Sequence, residues 1–346
     1  MTRTSTALAA FLAFTAPAFA QEEPDARSSS EAVAQTKTPA PSPNEIVTQA
    51  APSEWTEIPA EDLLVMTLAP DAEGHERAVI IQLMPAPFSQ GWVENIRTFA
   101  RARWYDGITV NRVQDNYVVQ WGDVNYDNPE ATGEAKPLPA GLRVMGENAY
   151  SAGFETGDGD AINPIKSPDA YAPKSGFFAG FPVAGTKAGR MDWLWPVHCY
   201  GMVGVGRNLS PDTGSGAELY TVIGQAPRHL DRNIALVGRI VEGMEHLSSL
   251  PRGHGELGFY AADEADKRTP ILSVRVASDL PEAASASSSE AVGQQKRPRF
   301  EYLDTSGQTF ARYAEARANR RDAFFIVPAG GADICNIPVP VRRVAK

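Results

Sequence analysis

From residue 62 to residue 121 the chain alternates short apolar runs with polar breaks. Residues 62–69 (DLLVMTLA) and 77–84 (RAVIIQLM) are rich in β-formers and flank a polar turn, which predicts a hairpin. The next stretch changes period. Trp92, Ile96, Phe99 and Arg103 fall at helical spacing behind Ser89, with Glu94 in the first turn, which predicts a helix capped by Ser89. Residues 108–113 and 116–121 predict two further strands, as do residues 219–224 and 234–241. A short helix is expected over 244–250, and the alternation in 270–280 (PILSVRVASDL) predicts a last strand. Many short strands with few helices predict a mainly β fold, a closed antiparallel barrel. No internal repeat is present.

The remaining segments break this pattern. Residues 124–195 are rich in Gly, Pro, Asp and Asn and read as a long loop insertion. Residues 21–52 carry few large apolar groups and read as a disordered linker, and 281–296 (PEAASASSSEAVGQQK) as a second one. In the C-terminal extension, 297–346, the pattern predicts a strand at 300–303, a helix over 309–321 with Phe310, Tyr313 and Ala314 on one face, and a strand at 324–327. Residues 1–20 (MTRTSTALAAFLAFTAPAFA) place one arginine before an apolar run and end in Ala-Phe-Ala, the pattern of a cleaved secretory signal. The run is too short to span a bilayer comfortably, and no cysteine follows it for lipidation. These features predict an exported, periplasmic protein without stable membrane insertion, its main domain running from 53 to 280.

Composition narrows the function. Of 346 residues, 43% are hydrophobic, enough for a real core, while 27 prolines and 29 glycines favour turns and strands. The 32 basic and 42 acidic side chains give a net charge of -10, which argues against a nucleic-acid partner. In an exported chain the isolated pair Cys199 and Cys335 favours a disulfide over two buried thiols, and neither sits in a CxxC motif. The five histidines are not paired at metal-ligand spacing. Residues 180–187 (GFPVAGTK) miss the phosphate-loop order, Gly204-Val-Gly206 lacks the third glycine of a dinucleotide fingerprint, and no G-x-S-x-G elbow occurs. The expectation is a chain without metal or cofactor.

What remains is an arrangement of Arg, Gln and aromatic residues. In residues 110–123, VNRVQDNYVVQWGD, Arg112 precedes Tyr117 by five positions and Gln120 by eight. With Asp106-Gly107 before it, this stretch resembles the cyclophilin pattern Y-D-G-x-x-F-H-R-x-x-x-x-F-x-x-Q-G-G-D. Further blocks follow in family order. Pro85-Ala-Pro87 and Val93-Glu-Asn-Ile96 resemble A-P-x-x-V-x-N-F. Gly201-Met-Val-Gly-Val-Gly206 resembles G-x-M-A-N-A-G, Ala217-Glu-Leu-Tyr-Thr221 resembles S-Q-F-F-I, His229-Leu-Asp231 resembles W-L-D-G, and Val237-Gly-Arg-Ile-Val-Glu-Gly-Met244 resembles F-G-x-V-x-E-G-M. Together they cover roughly residues 60 to 280.

The resemblance implies a cyclophilin-like barrel with helical caps and a peptidyl-prolyl cis-trans isomerase acting on proline-containing polypeptides. That chemistry breaks no bond and asks for no cofactor. Arg112 and Gln120 take the catalytic positions, Arg112 that of the arginine that stabilises the twisted amide and Gln120 that of the glutamine that orients the site. Tyr117, Val118, Tyr220 and Leu230 match the apolar walls of the proline pocket, and His229 its rim. Val203 and Gly204 match the segment that pairs with substrate backbone, and Glu218 stands where the family has a second glutamine. The departures are Val110, Asn111, Tyr117, Trp121, Gly204, Glu218 and Ile234; Glu218 puts a carboxylate near the arginine. Two further readings stand beside it. One is a non-catalytic peptide-binding or chaperone module of the cell envelope that keeps the groove, favoured by Glu218 and Gly204. The other is an envelope scaffold whose linker and insertion bind a partner, supported by the length of the insertion.

Overall fold

A computed structural model describes residues 40–344 apart from 127, 156–161, 166 and 283–295. The segment read as a signal and most of both linkers lie outside the described residues. Helix α1 (Pro43–Thr48) and strand β1 (Trp55–Glu57) lead into the hairpin β2 (Leu63–Leu68) and β3 (Arg77–Leu83). Helix α2 (Gln90–Arg101) and strands β4 (Thr109–Val113) and β5 (Val118–Gly122) follow. The insertion holds β6 (Ala152–Glu155), β7 (Asn163–Pro164), β8 (Lys174–Phe178), β9 (Phe181–Ala188) and β10 (Met191–Pro196). After it come β11 (Met202–Val205), β12 (Leu219–Val222), β13 (Leu236–Glu242), the short helix α3 (Glu245–Ser248) and β14 (Ile271–Val276). Strand β15 (Phe300–Leu303), helix α4 (Gln308–Ala318) and strand β16 (Val341–Arg343) complete the chain.

Eight strands form one antiparallel sheet in the order β14-β2-β3-β13-β11-β12-β5-β4. Its edges meet: the Val110 amide donates to the Thr269 carbonyl (2.9 Å) and the Ile271 amide to the Ile108 carbonyl (2.8 Å). The expected barrel is therefore present and closed. Alternation along β2 explains why residues 62–69 read as an unbroken apolar run. Leu64, Met66 and Leu68 enter the main core, whereas Leu63 and Val65 pack on the other face against Ile58 and Phe300. Helix α2 buries Trp92, Ile96 and Phe99 and packs against β13 and β14. Ser89 sits at its N-cap in the left-handed region (φ 54°) and makes no side-chain capping bond, contrary to expectation.

Three segments differ from the sequence reading. The insertion is no bare loop: its strands form a five-stranded sheet, β6-β10-β9-β8-β7. Residues 43–48, placed in a disordered linker, form α1 with a Ser42–Glu45 capping box and Pro43 at its first turn. The helix buries Ile46 and packs on α4, so its stability comes from residues more than 260 positions away. Residues 324–327 form no strand; Phe324, Ile326 and Val327 are exposed, and β15 pairs with β1 and β16. Insertion and extension meet where Phe177 of β8 abuts Phe310 of α4, ring centroids 4.8 Å apart. The Cys199–Cys335 disulfide also joins the extension to the rest of the chain. No helix among the described residues is long and apolar enough to cross a membrane.

Candidate active site

Four neighbouring barrel strands bring the separate sequence blocks into one row. Arg112 of β4 lies opposite Gln120 of β5, Gln120 opposite Tyr220 of β12, and Tyr220 opposite Gly204 of β11. Strand alternation sorts the side chains. Val119 and Trp121 enter the barrel core, which leaves Val118 and Gln120 on the outer face. Trp121, standing for a family glycine, therefore never reaches the groove. Residues 110 and 112 would share a face in a regular strand, yet Val110 is in the core and Arg112 faces outward. An irregularity in the β4–β5 pairing between them makes this switch. Asn111 is buried there, donating to the Gly122 carbonyl (3.0 Å) and accepting from the Thr109 hydroxyl (2.5 Å).

Arg112 is held from three sides. Its Nε donates to the Leu257 carbonyl (2.7 Å), one terminal nitrogen to Gln120 Oε1 (3.1 Å), and the other to Gln114 Oε1. The rings of Tyr117 and Phe259 lie 5.6 and 5.5 Å from the guanidinium carbon, within cation–π range. Burial lowers the Arg112 pKa, while Tyr117 and the Glu218 charge raise it; a guanidinium starts so high that it stays charged at neutral pH. Glu218 accepts from Gln120 Nε2 (3.3 Å). The Gln120 amide is thus fixed at both ends, its oxygen on Arg112 and its nitrogen on Glu218.

The row borders a groove of about 530 Å³. Arg112, Tyr117, Val118, Gln120, Glu218, Tyr220 and Leu230 line it. Val118, Tyr220 and Val222, with Tyr117 and Ile234, form an apolar cluster of their own beside the main core. Three expected residues are placed elsewhere. Val203 is buried in the barrel wall, and His229 is exposed outside the lining. Gly204 lies beneath the Tyr220 ring, where an added Cβ would come within 2.3 Å of the phenol oxygen, a space that only glycine leaves open. Leu257 and Phe259 belong to the lining but were not anticipated. They come from the segment between α3 and β14, which carries no family block; its apolar Leu257 and Phe259 among polar and glycine residues were the available signal.

The one group of potential metal ligands among the described residues is Asp71, Glu73 and His75. It lies on the turn between β2 and β3, where Asp71 accepts from the amides of Glu73 (3.0 Å) and His75 (2.8 Å), and it takes no part in the groove.

A family model described as cyclophilin type peptidyl-prolyl cis-trans isomerase/CLD matches residues 81–276, more than half of the chain. The chain belongs to the cyclophilin family. This cyclophilin is accordingly a peptidyl-prolyl cis-trans isomerase, and its substrates are proline-containing peptides. Among solved structures it is similar to cyclophilin AquaCyp293 from Hirschia baltica, with 20% identity, a TM-score of 0.58, and coverage of 84% of this chain and 93% of that one. At that identity the likeness speaks to fold. A Cryptosporidium parvum cyclophilin type isomerase matches at 11% identity over 62% of this chain and 96% of its own, with a TM-score of 0.36, too loose a superposition to carry an argument. A search of curated proteins finds no match.

Proposed function

We propose that this cyclophilin isomerises X-Pro bonds of exported polypeptides in the periplasm, with Arg112 stabilising the twisted amide. Amide resonance holds the X-Pro bond planar behind a barrier of about 18–20 kcal/mol. At the top of that barrier the conjugation is broken, and the proline nitrogen becomes pyramidal and gains a lone pair. A fixed N–H donor aimed at that nitrogen stabilises the twisted form more than either planar isomer, which is what lowers a barrier. Arg112 suits this task because its fork is rigid and always charged. Its three bonds within the protein engage three of the five guanidinium N–H groups and leave one on each terminal nitrogen for substrate. The aromatic and aliphatic cluster beside it, Tyr117, Val118, Tyr220 and Ile234, supplies an apolar seat for the proline ring.

The observation that carries this reading is the row Arg112–Gln120–Tyr220 on adjacent strands, with the guanidinium anchored at the edge of an open groove. Export is supported by the pattern of residues 1–20 and by a disulfide, a bond that persists in oxidising compartments. The test is an X-Pro peptide isomerisation assay on wild type and Arg112→Ala. Loss of one positioned transition-state donor is expected to lower kcat/KM by about 10²–10³-fold. An Arg112→Ala variant as fast as wild type overturns the mechanism. Recovery of the protein from the cytoplasm with residues 1–20 still attached overturns export.

A further inference from the structure

A buried hydrogen-bonded chain starts at the groove wall and leads away from it. The Tyr220 hydroxyl meets His198 Nε2 at 2.9 Å, and His198 Nδ1 meets Asp231 Oδ1 at 2.9 Å. The same Asp231 oxygen accepts the His198 backbone amide (3.0 Å), while Oδ2 accepts Arg228 Nε (2.7 Å). Arg228 continues to Asp169 of the insertion (3.1 Å), and Asp333 of the C-terminal extension stands 3.9 Å from its remaining terminal nitrogen. His198 is fully buried and Asp231 nearly so, as are the side chains of Arg228 and Asp169.

The partners dictate where the protons sit. The Asp231 carboxylate only accepts, so Nδ1 carries the imidazole hydrogen and Nε2 is left as an acceptor. Burial keeps the Tyr220 phenol protonated, so its O–H donates to Nε2. The hydroxyl is thereby committed to a buried partner, and the ring is fixed over Gly204 where Tyr220 lines the groove. Where the family pattern has phenylalanine, this chain has a tyrosine together with a dedicated acceptor for its hydroxyl.

We propose that His198 is a positioning residue for the isomerase, holding Tyr220 as a fixed wall of the proline pocket, and that Asp169 ties this hold to the insertion. This rests on the groove being the proline site. His198 touches no substrate. Its removal leaves a phenol without its buried partner, and the nearest place to rehydrate that phenol is the groove, where it obstructs proline. His198→Ala therefore raises KM about tenfold and changes kcat less than threefold. Removing the hydroxyl as well removes the obstruction. In a Tyr220→Phe background, His198→Ala changes KM less than about threefold. Asp169→Asn raises KM about threefold alone and not at all in the Tyr220→Phe background.

The experiment is this double-mutant cycle on X-Pro peptide kinetics, with Arg112→Ala measured in parallel. Equal KM increases for His198→Ala in the two backgrounds overturn the proposal, because a merely structural histidine would act regardless of the hydroxyl. An unchanged KM for Asp169→Asn removes the insertion from the relay. Normal activity of Arg112→Ala would instead strike the reading of the groove itself. Should His198→Ala fail to fold, long-range ¹⁵N–¹H spectra of wild type decide: the Nδ1–H tautomer of His198 is expected, and an Nε2–H tautomer overturns the arrangement.

Discussion

Gly204→Ala probes how tightly the pocket wall is fixed. An alanine Cβ at this position would stand 2.3 Å from the Tyr220 phenol oxygen and ring Cζ and 2.7 Å from Cε1, where ordinary contacts begin near 3.4 Å. The ring must retreat by about 1 Å or more. The Tyr220–His198 bond is 2.9 Å long, so a shift of that size takes the pair out of hydrogen-bond range. Overpacking a well-filled site costs about 1–3 kcal/mol, and a buried hydroxyl left without a partner about 1–3 kcal/mol more. The expected loss of stability is thus about 2–6 kcal/mol, with a rise in KM for X-Pro peptides. Denaturant unfolding at constant m-value reads the first, and isomerase kinetics the second. In a Tyr220→Leu background, where neither ring nor hydroxyl is present, the same Gly204→Ala change is expected to cost less than about 1 kcal/mol. A Gly204→Ala protein as stable as wild type, or one equally destabilised in both backgrounds, would refute the reasoning.

Three further outcomes are expected. Cys335→Ser opens a cross-link with a sequence separation of 136 residues, for which chain entropy gives about 5 kcal/mol of destabilisation; denaturation under non-reducing conditions checks it, and a loss under about 1 kcal/mol would contradict it. Phe310→Ala removes the ring that joins α4 to Phe177 of the insertion and is expected to cost about 3–5 kcal/mol, seen as a lowered unfolding midpoint. Burial lowers the His198 pKa below the ordinary imidazole value near 6.5; Asp231 pulls it up, while His229 and Arg228 push it down. The unfolded chain then binds the proton more readily, so this contribution is full above about pH 6.5 and is lost as pH falls from there through the lower folded-state value. The slope is at most about 1.4 kcal/mol per pH unit, and it is expected to vanish from the unfolding curves of His198→Gln.

The barrel was legible because its strands are short runs of β-forming residues set off by polar breaks, a signal carried locally. What each face meets is set at a distance: Ile80 of β3 packs in the cluster that holds Phe300. The row of site residues was legible only through the family pattern, since cross-strand register between Arg112, Gln120 and Tyr220 leaves no local trace. Resemblance carries residue types without geometry: it did not show that His229 stays in solvent outside the groove lining or that Gly204 lies beneath the Tyr220 ring. The insertion read as loop because Gly, Pro, Asp and Asn dominate residues 124–195 as a whole and mask strands as long as the eight-residue β9, and because Phe177 finds its partner Phe310 more than a hundred residues away. Residues 43–48 escaped for the same reason. Residues 324–327 are the converse, a strand-like composition with no neighbouring strand to pair with. His198 was noticed only as a histidine without metal spacing; its partners Tyr220 and Asp231 lie 22 and 33 positions on, a relation that folding alone creates.

The most direct measurement is two-dimensional exchange NMR on an X-Pro peptide with catalytic amounts of enzyme, which separates on-enzyme isomerisation from binding. Wild type is expected to give strong cis–trans exchange peaks. Arg112→Ala should keep peptide-induced shift changes at Tyr117, Val118 and Ile234 while its exchange rate falls by about two to three orders of magnitude. Exchange at the wild-type rate in Arg112→Ala, or loss of binding and exchange in equal measure, would contradict the account.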